Sequence, residues 1–170
     1  MSDAVLISIR PEWCERIASG EKTVEVRKTR PKIDTPFKCY IYETRGYERV
    51  GNENLNCIIG GNGRGKVIGE FVCDEIVRYA KYGTSNVPSR YMKASPGGYP
   101  AAEIHFSSLQ LSPAELEDYG EGAPLYGWHI SDLKIYDTPK ELKQFQIPTT
   151  FPARRVRQAP QSWCYIEEVE

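Results

Sequence analysis

Histidine, paired cysteine and long apolar segments are scarce in this sequence, and each shortage argues against one class of protein. The two histidines, His105 and His129, do not pair with a cysteine at metal-ligand spacing, so we expect no structural metal and no cofactor. The five cysteines form no C-x-x-C and leave an odd count, which favours reduced thiols over a disulfide framework. No apolar run approaches the roughly 20 residues of a membrane span, and Met1-Ser2-Asp3-Ala4 lacks a signal-peptide layout. We therefore expect a cytoplasmic protein with no membrane contact.

A strong net charge is also missing, because acidic and basic residues nearly cancel to give −1 at pH 7. So small a net charge provides no overall field to steer the molecule onto nucleic acid. Any contact with phosphate must come from a local patch, and basic side chains are concentrated over residues 22–38 and 154–157. Taken singly, each such charge run is more typical of a solvated surface.

The chain length of 170 residues suits one hydrophobic core, so we expect a single domain over residues 1–170. Apolar and β-branched runs predict strands at Val5–Ile9, Thr23–Arg27, Phe37–Glu43, Lys66–Glu75, Gly127–Leu133 and Ser162–Val169. A helix is predicted over Pro11–Ser19, ended by Gly20, and capping boxes predict two more after Ser112 and Thr138. Residues 45–64 and 82–102, which are rich in Gly, Asn, Pro and Ser, are expected to be loop insertions, with Asn56–Ile59 as a possible short strand within the first.

Many strands with few helices, and no long βαβ alternation, predict an α+β fold. We expect a small mixed β-barrel with a few short flanking helices, with Lys66–Glu75 as a central strand because its apolar run is nearly continuous.

The segment Gly60–Lys66 fits the phosphate-binding pattern G-x-x-x-x-G-K, but its context is wrong for that function. Val67 follows where a magnesium-binding Ser or Thr is required, and the next element is predicted to be a strand instead of a helix. We therefore predict a Gly-rich loop between two strands and no nucleoside triphosphate hydrolysis. A Ser-His-Asp site around His129 is likewise not favoured, because no G-x-S-x-G elbow is present.

The predicted strand Thr23–Arg27 carries the chemistry that points to a ligand. Side chains alternate along a strand, so Val24 and Val26 supply a core face. Thr23, Glu25 and Arg27 then share the other face, with Lys22 just before them. A guanidinium suits phosphate or a base edge, and a carboxylate accepts from an exocyclic amine. The alternative is that Glu25 and Arg27 pair with cross-strand partners on a solvated face.

This segment resembles the signature of the ASCH family, the activating-signal-cointegrator homology domains related to the PUA RNA-binding fold. The hallmark of the family is a helix ending in G-x-K-x-x-E-x-R, and Gly20, Lys22, Glu25 and Arg27 match every marked place. Further segments resemble other strands of the family, including its bacterial and prophage members: Lys66–Phe71, Tyr126–Leu133 and Gln161–Tyr165.

The resemblance implies a PUA-like barrel with a cleft beside the first helix that binds RNA or a modified nucleotide or nucleoside. The ligand-binding residues that we expect in this chain are Arg10, Lys22, Glu25, Arg27, Tyr42, Trp128, His129, Ser131 and Trp163.

Two alternatives stay open. Some ASCH members are amidohydrolases that deacetylate N4-acetylcytidine, and others are ribonucleases. In a hydrolase of this type, Lys22, Thr23 and Glu25 would be catalytic, although Glu25 stands where the deacetylases have a threonine. The other alternative is a module for protein interaction or a prophage accessory factor.

Overall fold

The structure, a computed structural model, describes residues 3–50, 57–148 and 154–167. Its strands, in chain order, are β1 (Asp3–Ile9), β2 (Val24–Arg27), β3 (Phe37–Glu43), β4 (Tyr47–Val50), β5 (Cys57–Gly60), β6 (Lys66–Cys73), β7 (Ile76–Thr84), β8 (Val87–Ala94), β9 (Pro100–Ala102), β10 (Leu125–His129), β11 (Ser131–Lys140), β12 (Gln146–Ile147), β13 (Arg154–Arg155) and β14 (Trp163–Glu167). Its helices are α1 (Pro11–Ala18), α2 (Phe106–Leu109), α3 (Pro113–Gly120) and a 3₁₀ turn at Leu142–Gln144.

Local sequence signals explain where the first helix begins and ends. Pro11 occupies its first position, where the missing N–H has no helical partner to lose. Cys14 and Ile17 lie on the buried face of α1, and Gly20 takes φ +82° just beyond it. Only glycine adopts that left-handed conformation at little cost, so the chain turns there and enters β2.

The chain divides into two compact units, each made from separate stretches of sequence. The first takes in the described parts of residues 1–18, 38–71 and 133–170. Its five-stranded sheet has the order β11-β6-β3-β1-β14, with β1 parallel to β3 and antiparallel to β14. Leu6, Tyr40, Val67 and Phe145 are fully buried in its core. Val5, Ile7 and Ile41, which point to the opposite face, are also fully buried, so the central strands of this mixed sheet are covered on both faces.

The second unit comprises residues 19–37 and 72–132. Its sheet has the order β2-β10-β7-β8-β9, and each neighbouring pair is antiparallel. Val26, Tyr79 and Leu125 project from this sheet into a buried cluster with Leu116 of α3. The helix begins at the predicted capping box, in which the Ser112 side chain accepts from the backbone N–H of Glu115.

The predicted α+β class with short helices is confirmed, but the predicted β-barrel is wrong. Across the described ranges, neither five-stranded sheet closes on itself: β11 and β14 remain the ends of one, and β2 and β9 the ends of the other. The apolar run of β6 reflects an interior strand of an open sheet, which buries both faces as a barrel strand does. The single domain over residues 1–170 stays a prediction.

Both segments predicted as loops contain paired strands. Residues 82–102, expected to be irregular, instead supply the end of β7, all of β8 and the short β9. Pro100 fits there because β9 is an edge strand, where a missing N–H need not break a ladder. Within 45–64, β4 and β5 form a hairpin, while residues 51–56 lie outside the described part of the chain.

The two smaller predictions near Gly60 and Thr138 have opposite outcomes. The Gly-rich segment after Gly60 joins strands β5 and β6, as predicted. The helix predicted after Thr138 is wrong, because β11 continues through Lys140. The capping box forms three residues later, between Glu141 and Gln144, and starts only the 3₁₀ turn.

Candidate functional site

Three charged side chains of the signature converge at the start of β2. The Lys22 ammonium lies 3.4 Å from Oε2 of Glu25, and the Arg27 guanidinium lies 2.9 Å from Oε1 of the same carboxylate. Lys22 also donates to the backbone carbonyl of Leu109 at 2.6 Å. Two cations therefore share one carboxylate, and the backbone of α2 fixes one of them.

Burial makes this arrangement energetically important. Lys22, Glu25 and Arg27 are only 3%, 6% and 9% exposed. Charged groups this far from water are stable only when they are paired and hydrogen-bonded. The carboxylate thus fixes the Arg27 fork in position, whereas an arginine on a solvated strand would sample many rotamers. The open, solvated ion pair that the sequence left as the alternative is not what forms.

The neighbouring strand β10 determines what lies beside the charges. Its antiparallel register sets Trp128 opposite Glu25 and Tyr126 opposite Arg27, so each pair shares one face of the sheet. Trp128 is fully buried, with its ring edge-on to Phe37 at 5.9 Å between centroids. It therefore packs the site from within, whereas the half-buried Tyr126 keeps a surface that a ligand can reach.

Tyr119 of α3 is an aromatic residue at this site that the sequence did not single out. It is 38% exposed, and the Lys28 ammonium lies 5.2 Å from its ring centroid. Burial raises the pKa of its phenol, while the nearby positive charge of Arg27 acts in the opposite direction. In the sequence it is simply an aromatic residue within a short acidic helix. The packing that brings α3 to β2 joins distant parts of the chain, so no local pattern indicates it.

His129 and Ser131 form a second polar group, centred on Asp74. Nδ1 of His129 lies 2.6 Å from Oδ1 of Asp74, and the Ser131 hydroxyl donates to the Val72 carbonyl at 2.8 Å. The pKa of the Asp74 carboxyl lies below its usual range, mainly because of its hydrogen bond with His129. Asp74 thereby fixes the orientation of the imidazole, which is about two-fifths exposed.

The remaining predicted ligand-binding residues, Arg10, Tyr42 and Trp163, belong to the first unit. Arg10 is exposed just before α1, and Tyr42 packs against the core of its own unit. Trp163 is half-buried, and its ring is edge-on to Tyr165 at 5.4 Å. Their part in a ligand site stays a prediction.

Two hydrogen bonds fix the backbone of Thr23. Its N–H donates to the Ser108 carbonyl at 3.0 Å, and its carbonyl accepts from the N–H of Ile130 at 2.9 Å. These bonds fix the approach to β2. A catalytic role for its hydroxyl stays a prediction.

Neither a metal-binding cluster nor a membrane-spanning helix occurs among the residues that the structure describes. Within residues 3–50, 57–148 and 154–167, no cluster of three or more His, Cys, Asp or Glu side chains is arranged to hold a metal ion. Among the helices of the same ranges, none is long and apolar enough to cross a membrane.

The chain thus combines an open α+β fold with a buried Lys22–Glu25–Arg27 cluster at strand β2. The model of the ASCH domain family matches residues 7–133. The chain therefore belongs to the ASCH family, which is generally associated with nucleic acid, and the resemblance seen in the sequence is confirmed.

Solved structures of an ASCH protein from Zymomonas mobilis share the fold. The first aligns over 97% of this chain and 88% of its own, with 22% identity and a TM-score of 0.58. A serine-to-alanine mutant of the same protein aligns over 97% and 89%, with 23% identity and a TM-score of 0.57. This likeness supports the PUA-like fold. Among curated proteins, the chain has no match.

Proposed function

We propose that this ASCH domain binds RNA or a modified nucleotide or nucleoside at the Lys22–Glu25–Arg27 cluster. The observation that carries the proposal is that two cations converge on one buried carboxylate beside partly exposed aromatic rings. Arginine held in a fixed geometry is suited to phosphate, because its planar fork donates two parallel hydrogen bonds.

Each component has a role that follows from its position. Lys22 and Glu25 are positioning residues, because both are buried and Glu25 holds the guanidinium. Arg27 supplies positive charge to an anionic ligand, whereas the exposed Lys28 is already paired with Glu121 at 3.2 Å. Tyr119 and Tyr126 present rings on which a base can stack, an interaction that tolerates any base.

The test is a fluorescence-anisotropy titration of a short labelled RNA at salt concentrations from about 50 to 200 mM. Phosphate contact predicts that affinity falls as salt rises, and that Arg27→Gln weakens binding at every salt concentration. Arg155→Gln is the matched control, because it removes an exposed arginine from the other unit. Binding that ignores salt, no binding of RNA or nucleotide, or equal affinity for both variants would contradict the proposal.

A second candidate is hydrolysis of a nucleoside amide or a phosphodiester, and the His129–Asp74 pair favours it. An imidazole oriented by a carboxylate is a suitable general base. In contrast, Lys22 is engaged as a cation by Glu25 and by the Leu109 carbonyl, which does not suit a base. Incubation with N4-acetylcytidine and with short RNAs separates the candidates. Turnover that disappears in His129→Ala supports hydrolysis, and unchanged substrate removes this candidate for those compounds.

A further inference from the structure

A row of three side chains crosses the second unit's sheet, starting at the candidate site. The register of β2 with β10 sets Arg27 opposite Tyr126, and the register of β10 with β7 sets Tyr126 opposite Arg78. Directly opposed residues of antiparallel strands project from the same face. Since neighbouring strands lie about 4.8 Å apart, the two arginine backbones are about 10 Å apart with a tyrosine between them.

The main core cluster of the second unit lies on the opposite face of the sheet, although Trp128 is buried on the same face as the row. The residues that alternate with the row, Val26, Leu125 and Tyr79, are buried in the core cluster on the opposite face. Along the row, exposure increases from the buried Arg27 through the half-buried Tyr126 to the exposed Arg78.

Arg78 differs from the other exposed arginine on this face. Arg90 is neutralised by Glu103, with 2.5 Å between the guanidinium and the carboxylate. The side chain of Arg78 makes no hydrogen bond or ion pair with any of the described residues. Its charge is therefore available to an anion from solution, and it lies in line with the guanidinium that Glu25 holds.

We propose that the row Arg27–Tyr126–Arg78 is a binding track for a single-stranded polynucleotide. This inference rests on the proposed function and narrows its ligand from a free nucleotide to a strand. The two guanidinium groups contact phosphates on either side of a base that stacks on Tyr126. A free nucleotide, with one base and one phosphate group, fills only one end of the row. A duplex cannot offer an unstacked base to the ring.

The experiment uses the full chain, a short labelled oligouridine RNA, and competition by uridine monophosphate and by a duplex of equal length. Arg78→Gln should lower affinity several-fold and reduce the slope of log affinity against log salt by about 0.7, the value for one phosphate on a single strand. Tyr126→Leu should weaken binding roughly tenfold with an unchanged slope, whereas Tyr126→Phe keeps the ring and the affinity. Arg90→Gln is the matched control and should leave both quantities unchanged.

The outcomes separate this inference from the function on which it rests. If RNA binds and Arg27→Gln weakens it while Arg78→Gln does not, the track is wrong and the proposed site stands. Equal competition by the monophosphate or by the duplex would also overturn the track. If the wild-type protein binds neither RNA nor nucleotide, the proposed function fails and the track fails with it.

Discussion

Replacing Glu25 with glutamine removes the one carboxylate that Lys22 and Arg27 share while keeping the size of the side chain. The structure predicts a large loss of stability, because both cations are buried and would then face each other across a neutral amide. Breaking a buried ion pair costs about 3 kcal/mol or more. The lower end of this energy range applies to Glu25→Gln, because the glutamine oxygen can still accept a hydrogen bond from Arg27. In a chain of this size, 3 kcal/mol lowers the melting temperature by about 9 °C.

The matched control is Glu121→Gln, which removes the same charge at the surface. Glu121 lies 3.2 Å from Lys28, and its side chain is 77% exposed. Exposed pairs of this kind contribute less than about 1 kcal/mol. Thermal unfolding followed by circular dichroism, with urea denaturation for the free energy of unfolding, compares the two variants. If Glu25→Gln loses no more stability than Glu121→Gln, the reasoning that burial makes this cluster a fixed unit is refuted.

Three further predictions concern other parts of the structure. Ser112→Ala should lower the free energy of unfolding by about 1 kcal/mol, because the capping box with Glu115 is lost; no change in urea denaturation would contradict this. Burial raises the pKa of Cys73 to about 12, so in peptide mass mapping iodoacetamide at pH 8 should label it only after unfolding, and rapid native labelling would be the contrary result. The pKa of Asp74 is lowered by His129, so this carboxylate adds stability above its unfolded pKa near 3.8 and loses it as pH falls further. The stability deficit of Asp74→Asn should therefore shrink below that pH, and a deficit that is the same at pH 3 and pH 6 would show that the charge is not responsible.

Sequence patterns predicted best the elements that are specified locally. The run Phe37–Glu43, which is rich in aromatic and β-branched residues, is strand β3 with the predicted bounds, and Pro11 and Gly20 delimit α1 as expected. Each of these signals acts within one or two turns of chain. No tertiary partner is needed to interpret them.

The elements that were missed depend on partners that are distant in sequence. β8 begins with the exposed stretch Val87–Arg90, which shows no apolar alternation and includes Pro88. Its pairing with β7 gives it strand structure, and β9 pairs with the far end of β8, at Lys93 and Ala94. The composition of residues 82–102 predicts irregular structure, but an exposed antiparallel sheet tolerates the same composition.

The candidate site shows the same division. The spacing of Lys22, Glu25 and Arg27 was sufficient to predict that they act together, and the structure brings them together. Their burial, and the approach of Tyr119 from α3, follow from packing between elements about ninety residues apart in the sequence. The alternation of side chains along a strand is equally compatible with an exposed Trp128. In the structure, Trp128 is buried, since it lies opposite Glu25 on an interior strand of the sheet.

In the proposed function, the buried cluster holds Arg27 for the phosphate of a nucleic-acid ligand. The most direct test of this role is RNA affinity against salt for the wild-type protein and Arg27→Gln, at a temperature where both remain folded. We expect the affinity of the wild type to fall with rising salt, and the variant to bind more weakly with a shallower slope of log affinity against log salt. Equal affinity and equal slope in the two proteins would contradict it.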